Sequence, residues 1–421
     1  MSSLSGLSVK IAKNTLYQLI GKAITTTSTL FITFLLTRRF GPSGYGEFSL
    51  MLAFPAFFYM AVDFGLNAIF AKKSITENDE TLHINFGKLV SLRFFWSLSL
   101  IALALLLLIL FPYSQNLKIG IAIGLFSILT QGLITSANAI FQLKARYDLS
   151  TISVFFGSAL FLVLIYFGLT SLNFAIFAYS AGGLVTALTS LFLAKRLISK
   201  NTFSAPIIDT NYWRELFLPS IPLGMTAFLS VTTGKADSIL LSLLKKTEDV
   251  GYYGIAYKIF EVILVFPTFF MNVVYPILLG KKEESTGEFA TLTKKIFVFL
   301  GGLGMLGGLV GILLAPYLIR LIGGDSFSPS VLALRLLLAG LPIFFLTSML
   351  FWYLIIFDRQ KYLPFIYGAS AIFNILGNLL IIPRYSFYGA AVWTSVTEGL
   401  ILILLVIFLL PVIKKTNGST N

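Results

Sequence analysis

The 421-residue sequence has no cysteine and a single histidine, His83. Disulfides, thiol chemistry and metal sites built on Cys or His ligands are thereby effectively excluded. Charge is scarce too. Asp, Glu, Lys and Arg make up 12% of the chain, about half the ~25% usual for soluble domains. Acidic residues are the rarer sign, 18 against 31 basic, leaving a net charge of +13. A P-loop, H-E-x-x-H, G-x-S-x-G and an acidic metal cluster are all missing, so the chain carries no enzyme signature. Gly301-Gly302, Gly304 and Gly307-Gly308 look like a glycine-rich loop. They lie in an apolar run, however, where small residues serve close helix packing, and Gly301, Gly304 and Gly308 share one face. Without an ATP site, any transport must be facilitated, ion-coupled or driven by another protein.

What is present is hydrophobic. Apolar residues make up 57% of the chain, and the mean hydropathy is +0.89. The apolar runs are long, uninterrupted and rich in Leu, Ile and Phe, unlike the ten-residue alternating segments of an outer-membrane barrel. The expectation is an all-α polytopic membrane protein. Residues 1–13 are polar and the first apolar run is too long for the core of a cleaved signal, so a retained first span is expected. Twelve spans are predicted: 14–38, 44–70, 89–112, 119–141, 149–169, 171–194, 213–240, 250–280, 296–319, 331–356, 363–383 and 387–411. Each reaches the ~20 residues that a hydrocarbon core requires.

The basic surplus has two readings, nucleic acid or membrane topology, and the distribution favours topology. With a cytoplasmic N-terminus, nineteen Lys and Arg fall on the inside and eight on the outside; Lys22, Arg93, Lys235 and Lys258 fall within spans. This places both termini in the cytoplasm, in a cytoplasmic (inner) membrane, with no nucleic-acid partner. The polar connection 195–212 divides the spans six and six, giving an N-terminal lobe, 1–200, and a C-terminal lobe, 201–421. Six is even, so both halves enter the membrane the same way and any repeat axis runs along the membrane normal. Phe54-Pro-Ala-Phe-Phe…Lys72-Lys73 and Phe266-Pro-Thr-Phe-Phe…Lys281-Lys282 echo one another across that divide.

A charge within a span is costly and usually has a partner or a function. Lys22 lies nine residues beyond Lys13, about 13 Å along the helix, with Gln18, Thr26 and Thr29 at helical spacing. It either lines a cavity or snorkels to an interface. Lys258 and Glu261 are three apart and share a face that continues through Thr268 and Asn272. They form either a self-neutralising pair or a contact for substrate or ion. Glu398 is near mid-span with Thr394 and Thr397 close by, and either holds a helix–helix hydrogen bond or takes part in transport. Asp237 and Lys235 lie near the outer end of their span; Lys235 reads as interfacial, while Asp237 stays open between structure and function. Asp63 and Arg93 read as solvated or mutually paired. Arg38 and Arg39 read as interfacial.

An ordered set of motifs carries a resemblance. It runs through Arg39-Phe-Gly-Pro-Ser-Gly-Tyr-Gly-Glu-Phe-Ser, Asp63-Phe-Gly-Leu, Ala236-Asp-Ser-Ile-Leu-Leu and Val250-Gly-Tyr-Tyr-Gly-Ile-Ala-Tyr-Lys. It continues through Leu321-Ile-Gly-Gly-Asp-Ser-Phe, Asn374-Ile-Leu-Gly-Asn-Leu-Leu-Ile-Ile-Pro-Arg-Tyr and Tyr388-Gly-Ala-Ala-Val-Trp-Thr-Ser-Val-Thr-Glu398. The set resembles the oligosaccharide-lipid flippases of O-antigen and capsule export, in the multidrug/oligosaccharidyl-lipid/polysaccharide exporter superfamily. The resemblance implies two six-helix bundles around a central cavity and alternating-access transfer of an undecaprenyl-diphosphate-linked oligosaccharide. It implies cavity contacts from Lys22, Thr26, Lys258 and Asn272, and coupling to Na+ or H+ through Glu261, Asp237 or Glu398. The diphosphate would also be met by helix N-termini or by the Thr25–Thr29 run. Membrane lipids, a polysaccharide polymerase and glycosyltransferases are the implied partners, and no other cofactor is. Two alternatives stand beside this reading: a cation-coupled multidrug antiporter of the same fold, and a non-transporting scaffold for glycosyltransferases.

Overall fold

The computed structural model describes residues 2–198, 207–284 and 286–417, which are helical almost throughout and contain no strand. The helices are α1 (Ser2–Asp63), α2 (Leu66–Ser74), α3 (Asp79–Leu110), α4 (Gln115–Leu143), α5 (Tyr147–Gly168) and α6 (Leu172–Ile198). They continue as α7 (Thr210–Leu244), α8 (Thr247–Glu284), α9 (Thr286–Gly323), α10 (Ser330–Ala339), α11 (Leu341–Ile356) and α12 (Leu363–Asn417). Long apolar runs leave little choice, because a helix is the segment that pairs all its own backbone N–H and C=O groups in hydrocarbon.

Two stretches are too long for one crossing. Leu16–Ser74 covers 59 residues and Gln360–Pro411 covers 52, roughly 80–90 Å of helix against a core of ~30 Å. Each breaks near its middle, α1 at Gly41 (φ 64°, ψ −168°) and α12 at Ser386 (φ 49°, ψ −140°). Nine helices among the described residues are long and apolar enough to span, ten with α10 and α11 taken as one span bent by 45°. Dividing α1 and α12 at their breaks makes twelve, as the sequence predicts. One feature departs from the predicted straight helix over 44–70. The chain turns at Phe64 (φ 43°) and Gly65 (φ 73°) before α2 completes the span. Gly65 is required there twice over, because a Cβ would lie 2.6 Å from Leu223 Cβ as well as on a left-handed backbone.

The chain forms two compact units. Unit one is Met1–Ile32 with Glu47–Val231, and unit two is Thr33–Gly46 with Thr232–Asn421. The predicted lobe boundary between residues 200 and 201 lies outside the described residues. Unit one is centred on Leu66, Phe70, Phe86, Leu89, Ile140, Phe141 and Leu216, all buried. In unit two, residues 42–46 and 247–251 cross backbone to backbone. A Cβ on Gly46 would lie 2.0 Å from the Thr247 carbonyl oxygen, and one on Gly251 would lie 2.1 Å from that of Pro42. Helix α9 packs through its glycines: a Cβ on Gly304 would meet Pro342 Cα at 2.8 Å, and one on Gly308 would meet the Leu338 carbonyl at 2.8 Å. Gly301 lies looser, 3.7 Å from Leu346 by the same measure. Where lipid and core are equally apolar, such close approach is a main source of helix association.

Candidate functional site

The most enclosed polar site in unit two is built on Asp237. This carboxylate is fully buried. Its Oδ2 accepts from the Tyr253 hydroxyl at 2.8 Å and from Thr394 Oγ1 at 2.7 Å, and its Oδ1 accepts from Asn378 Nδ2 at 2.7 Å. Asn378 Nδ2 also reaches Asn374 Oδ1 at 3.2 Å, and Asn374 Nδ2 reaches Thr397 Oγ1 at 3.3 Å. Asn378 Oδ1 is buried without a hydrogen-bond partner among the described residues. Helical spacing assembles the set: Asn374 and Asn378 are four apart on the first part of α12, and Thr394 and Thr397 three apart on the second. The result is a buried carboxylate whose two oxygens are met by one amide N–H and two hydroxyls.

A second polar cluster lies on α7 and α8. Glu261 takes both available lysines, Oε2 at 3.3 Å from Lys258 Nζ and Oε1 at 3.4 Å from Lys235 Nζ. All three side chains are 30–41% exposed, so the cluster faces open space and not the core. Lys235, which the sequence read as interfacial, thus shares a polar face with Lys258 and Glu261. Its ammonium also lies 5.4 Å from the Tyr257 ring centroid, within range of a cation–π contact. Tyr257 links the clusters. Its ring packs 5.6 Å from that of Tyr253 and 5.4 Å from the Lys235 ammonium. Glu398 is half-buried and hydrogen-bonds Thr347. Asn272 is exposed on α8, beyond Pro267. No group of His, Cys, Asp and Glu suited to a resident metal ion occurs among the described residues.

In unit one Lys22 is exposed, without an ion-pair partner among the described residues, and Thr26 is half-buried one turn on. The Thr25 and Thr29 hydroxyls are already engaged: Thr25 donates to the carbonyls of Gly21 and Lys22 at 3.2 and 2.9 Å, and Thr29 to that of Thr25 at 2.6 Å. They are poor candidates for binding an anion, which leaves Lys22 as the available charge. Asp63 and Arg93 do pair, at 2.9 Å. Yet Arg93 is completely buried, not solvated, and donates also to Asn67 Oδ1 at 2.8 Å. It braces the Phe64–Gly65 turn, whose Phe64 ring stacks on Phe217 at 5.4 Å.

The sequence missed the partners of Asp237. The signal was present as Asn374/Asn378 and Thr394/Thr397, polar pairs at helical spacing inside apolar runs. The motifs also converge on one another. Thr37 donates to the Ile322 carbonyl at 2.7 Å, Tyr45 and Tyr252 both pack 6.0 Å from Phe327, and Tyr388 donates to the Pro329 carbonyl at 3.2 Å.

Residues 11–279, well over half of the chain, match the family model described as "Polysaccharide biosynthesis protein". The chain belongs to this family. Among curated proteins, the capsular polysaccharide biosynthesis protein CapF of Staphylococcus aureus is 29% identical over 199 residues, 45% of this chain. The match spans about half of that relative, 48% of its length. Among solved structures, the inward closed conformation of the lipid II flippase MurJ superposes with a TM-score of 0.72 at 17% identity, covering 93% of this chain and 87% of that one. An inward-facing multidrug resistance MATE transporter of the MOP superfamily superposes at 0.76 with 12% identity, covering 96% and 99%. This member of the polysaccharide biosynthesis family thus has the multi-pass helical membrane fold of those transporters. Identities so low speak to the fold alone.

Proposed function

We propose that this protein is a flippase for undecaprenyl-diphosphate-linked oligosaccharide repeat units, carrying them from the cytoplasmic to the outer leaflet of the cytoplasmic membrane by alternating access. The observation that carries the reading is the family match over residues 11–279, on a chain whose fold is that of membrane transporters. The cargo crosses without a covalent bond being made or broken. Lys22, Thr26, Lys258 and Asn272 are the residues assigned to contact with the anionic head group and sugars. Glu261 holds Lys258 when no diphosphate is bound and releases it to the stronger anion. Coupling to Na+ or H+ runs through Asp237, where Asn374, Asn378 and Thr394 add neutral oxygens, with Glu398 nearby. Both termini lie in the cytoplasm, where glycosyltransferases load the lipid, and a polymerase consumes the flipped unit outside.

The test replaces both lysines. Cells lacking the native gene and carrying Lys22→Ala/Lys258→Ala should insert the protein at normal levels yet display no surface glycan. Full display by the double variant would overturn the cargo-binding role. Vesicles containing the purified protein should move a labelled polyprenyl-diphosphate sugar between leaflets, and failure there would favour the scaffold alternative.

A further inference from the structure

Unit one carries a further binding feature of its own. Two adjoining cavities share one residue, Arg214. The larger, about 710 Å³, is lined by Lys73, Asn211, Arg214, Glu215, Leu218 and Pro219. The smaller, about 320 Å³, is lined by Leu92, Phe95, Trp96, Ser99, Trp213, Arg214 and Phe217. On α3 the lining positions 92, 95, 96 and 99 form one helical face, an apolar groove about 10 Å long. The groove is preformed. Trp96 Nε1 donates to the Ala61 carbonyl at 2.7 Å and Trp213 Nε1 to that of Lys88 at 3.1 Å, so both indoles are fixed and offer only carbon to the groove. An edge-on contact of Trp96 with Phe217 at 5.0 Å and a tilted one of Trp213 with Phe95 at 5.7 Å hold the walls together.

The charges at the mouth are unequal. Lys73 pairs with Glu215, and Lys88 with Asp209 at 2.8 Å. Asp209 is held below the ordinary carboxylate value by the Lys88 ammonium and the Tyr212 N–H. Arg214 is exposed and has no ion-pair partner among the described residues. A lone guanidinium at the head of a rigid aromatic groove matches a phosphate joined to a hydrocarbon chain. Basic pockets between membrane helices on the cytoplasmic side take anionic lipid head groups, and the basic-residue distribution puts this end of α7 there.

We infer that α3 and the start of α7 form a site for a resident anionic phospholipid of the host bilayer, its phosphate on Arg214 and one acyl chain along Leu92, Phe95 and Phe217. The site goes beyond the flippase reading and does not depend on the cargo. The experiment is native mass spectrometry of the purified full-length protein titrated with phosphatidylglycerol or phosphatidylcholine. Wild type should retain phosphatidylglycerol in preference to phosphatidylcholine. Arg214→Gln should lower phosphatidylglycerol occupancy about fivefold, Arg214→Lys should restore most of it, and phosphatidylcholine should be indifferent to both. Phe95→Ser, which keeps the charge, should lower occupancy by both lipids. Equal retention of the two lipids by wild type would overturn the site, as would an Arg214→Gln variant with unchanged occupancy. Displacement of phosphatidylglycerol by a polyprenyl diphosphate at one-to-one stoichiometry would also overturn it, by making the groove part of the transport path.

Discussion

Asp237 can be tested by two substitutions that the structure separates. In Asp237→Ala the three donors lose their shared acceptor, but two have another in reach. Tyr253 can turn to Thr394 Oγ1 at 3.1 Å, and Thr394 to the Ala390 carbonyl at 2.8 Å. Only the Asn378 amide is left short, keeping its longer bond to Asn374. Because no Lys or Arg among the described residues pairs with Asp237, the loss resembles one or two unsatisfied groups, about 1–3 kcal/mol, and falls below the ~3–5 kcal/mol of a broken buried ion pair. Asp237→Asn preserves shape and volume. Its new NH2 meets Asn378, which can rotate its own amide to offer the Oδ1 that has no partner. Stability should then stay within about 1 kcal/mol of wild type. If Asp237 carries the coupling ion, Asp237→Asn abolishes surface-glycan display at unchanged thermal stability, whereas Asp237→Ala lowers both. The assays are size-exclusion profiles of a fluorescent fusion after stepwise heating, and glycan display in the same cells. Wild-type display by Asp237→Asn would refute the ion role. An Asp237→Asn protein as unstable as Asp237→Ala would refute the amide rotation.

Gly251→Ala sets a methyl 2.1 Å from the Pro42 carbonyl, and should cost about 1–3 kcal/mol or more by overpacking. Gly302→Ala, which meets nothing within 4 Å, should leave the heating profile unchanged. Glu261→Gln frees Lys258 and Lys235 at little cost to stability, since half-exposed pairs contribute at most about 1 kcal/mol. It should tighten binding of a polyprenyl-diphosphate sugar, measured by thermal shift, and unchanged binding would refute the release role. For Asp209, the depressed native value means that its contribution is complete above the unfolded pKa of about 4 and is lost as pH falls through the lower native one. Stability measured below pH ~4 should therefore fall less steeply in Asp209→Asn than in wild type.

Sequence is most informative about this protein where one force acts alone. Composition by itself points to an all-α membrane protein, because hydrocarbon admits no other use of such long apolar runs. The span count followed, down to the interval between 383 and 387 where α12 breaks at Ser386. The Phe64–Gly65 turn was not legible, because it rests on a buried Arg93 and on Leu223, 158 residues downstream of Gly65. The deep charges were visible as anomalies, but each was seen only beside its own helical neighbours. Lys258 and Glu261 were placed together by their spacing, whereas Lys235 joins Glu261 from another helix.

The sequence alone thus determined the class, the number of crossings and which charges fall within apolar spans, since those depend on transfer to hydrocarbon and on helical period. Tertiary structure decided which of them meet. In the sequence, Asp237 lies near the outer end of its span and is open between structure and function. Tyr253 from α8 and Asn378 and Thr394 from the two parts of α12 make it the centre of a buried hydrogen-bond network. Hydrogen-bond partners more than a hundred residues apart follow from helix packing; the glycine face of Gly304 and Gly308 was legible in its spacing, whereas the backbone crossing at Gly46 and Gly251 joins segments about two hundred residues apart that no local pattern pairs.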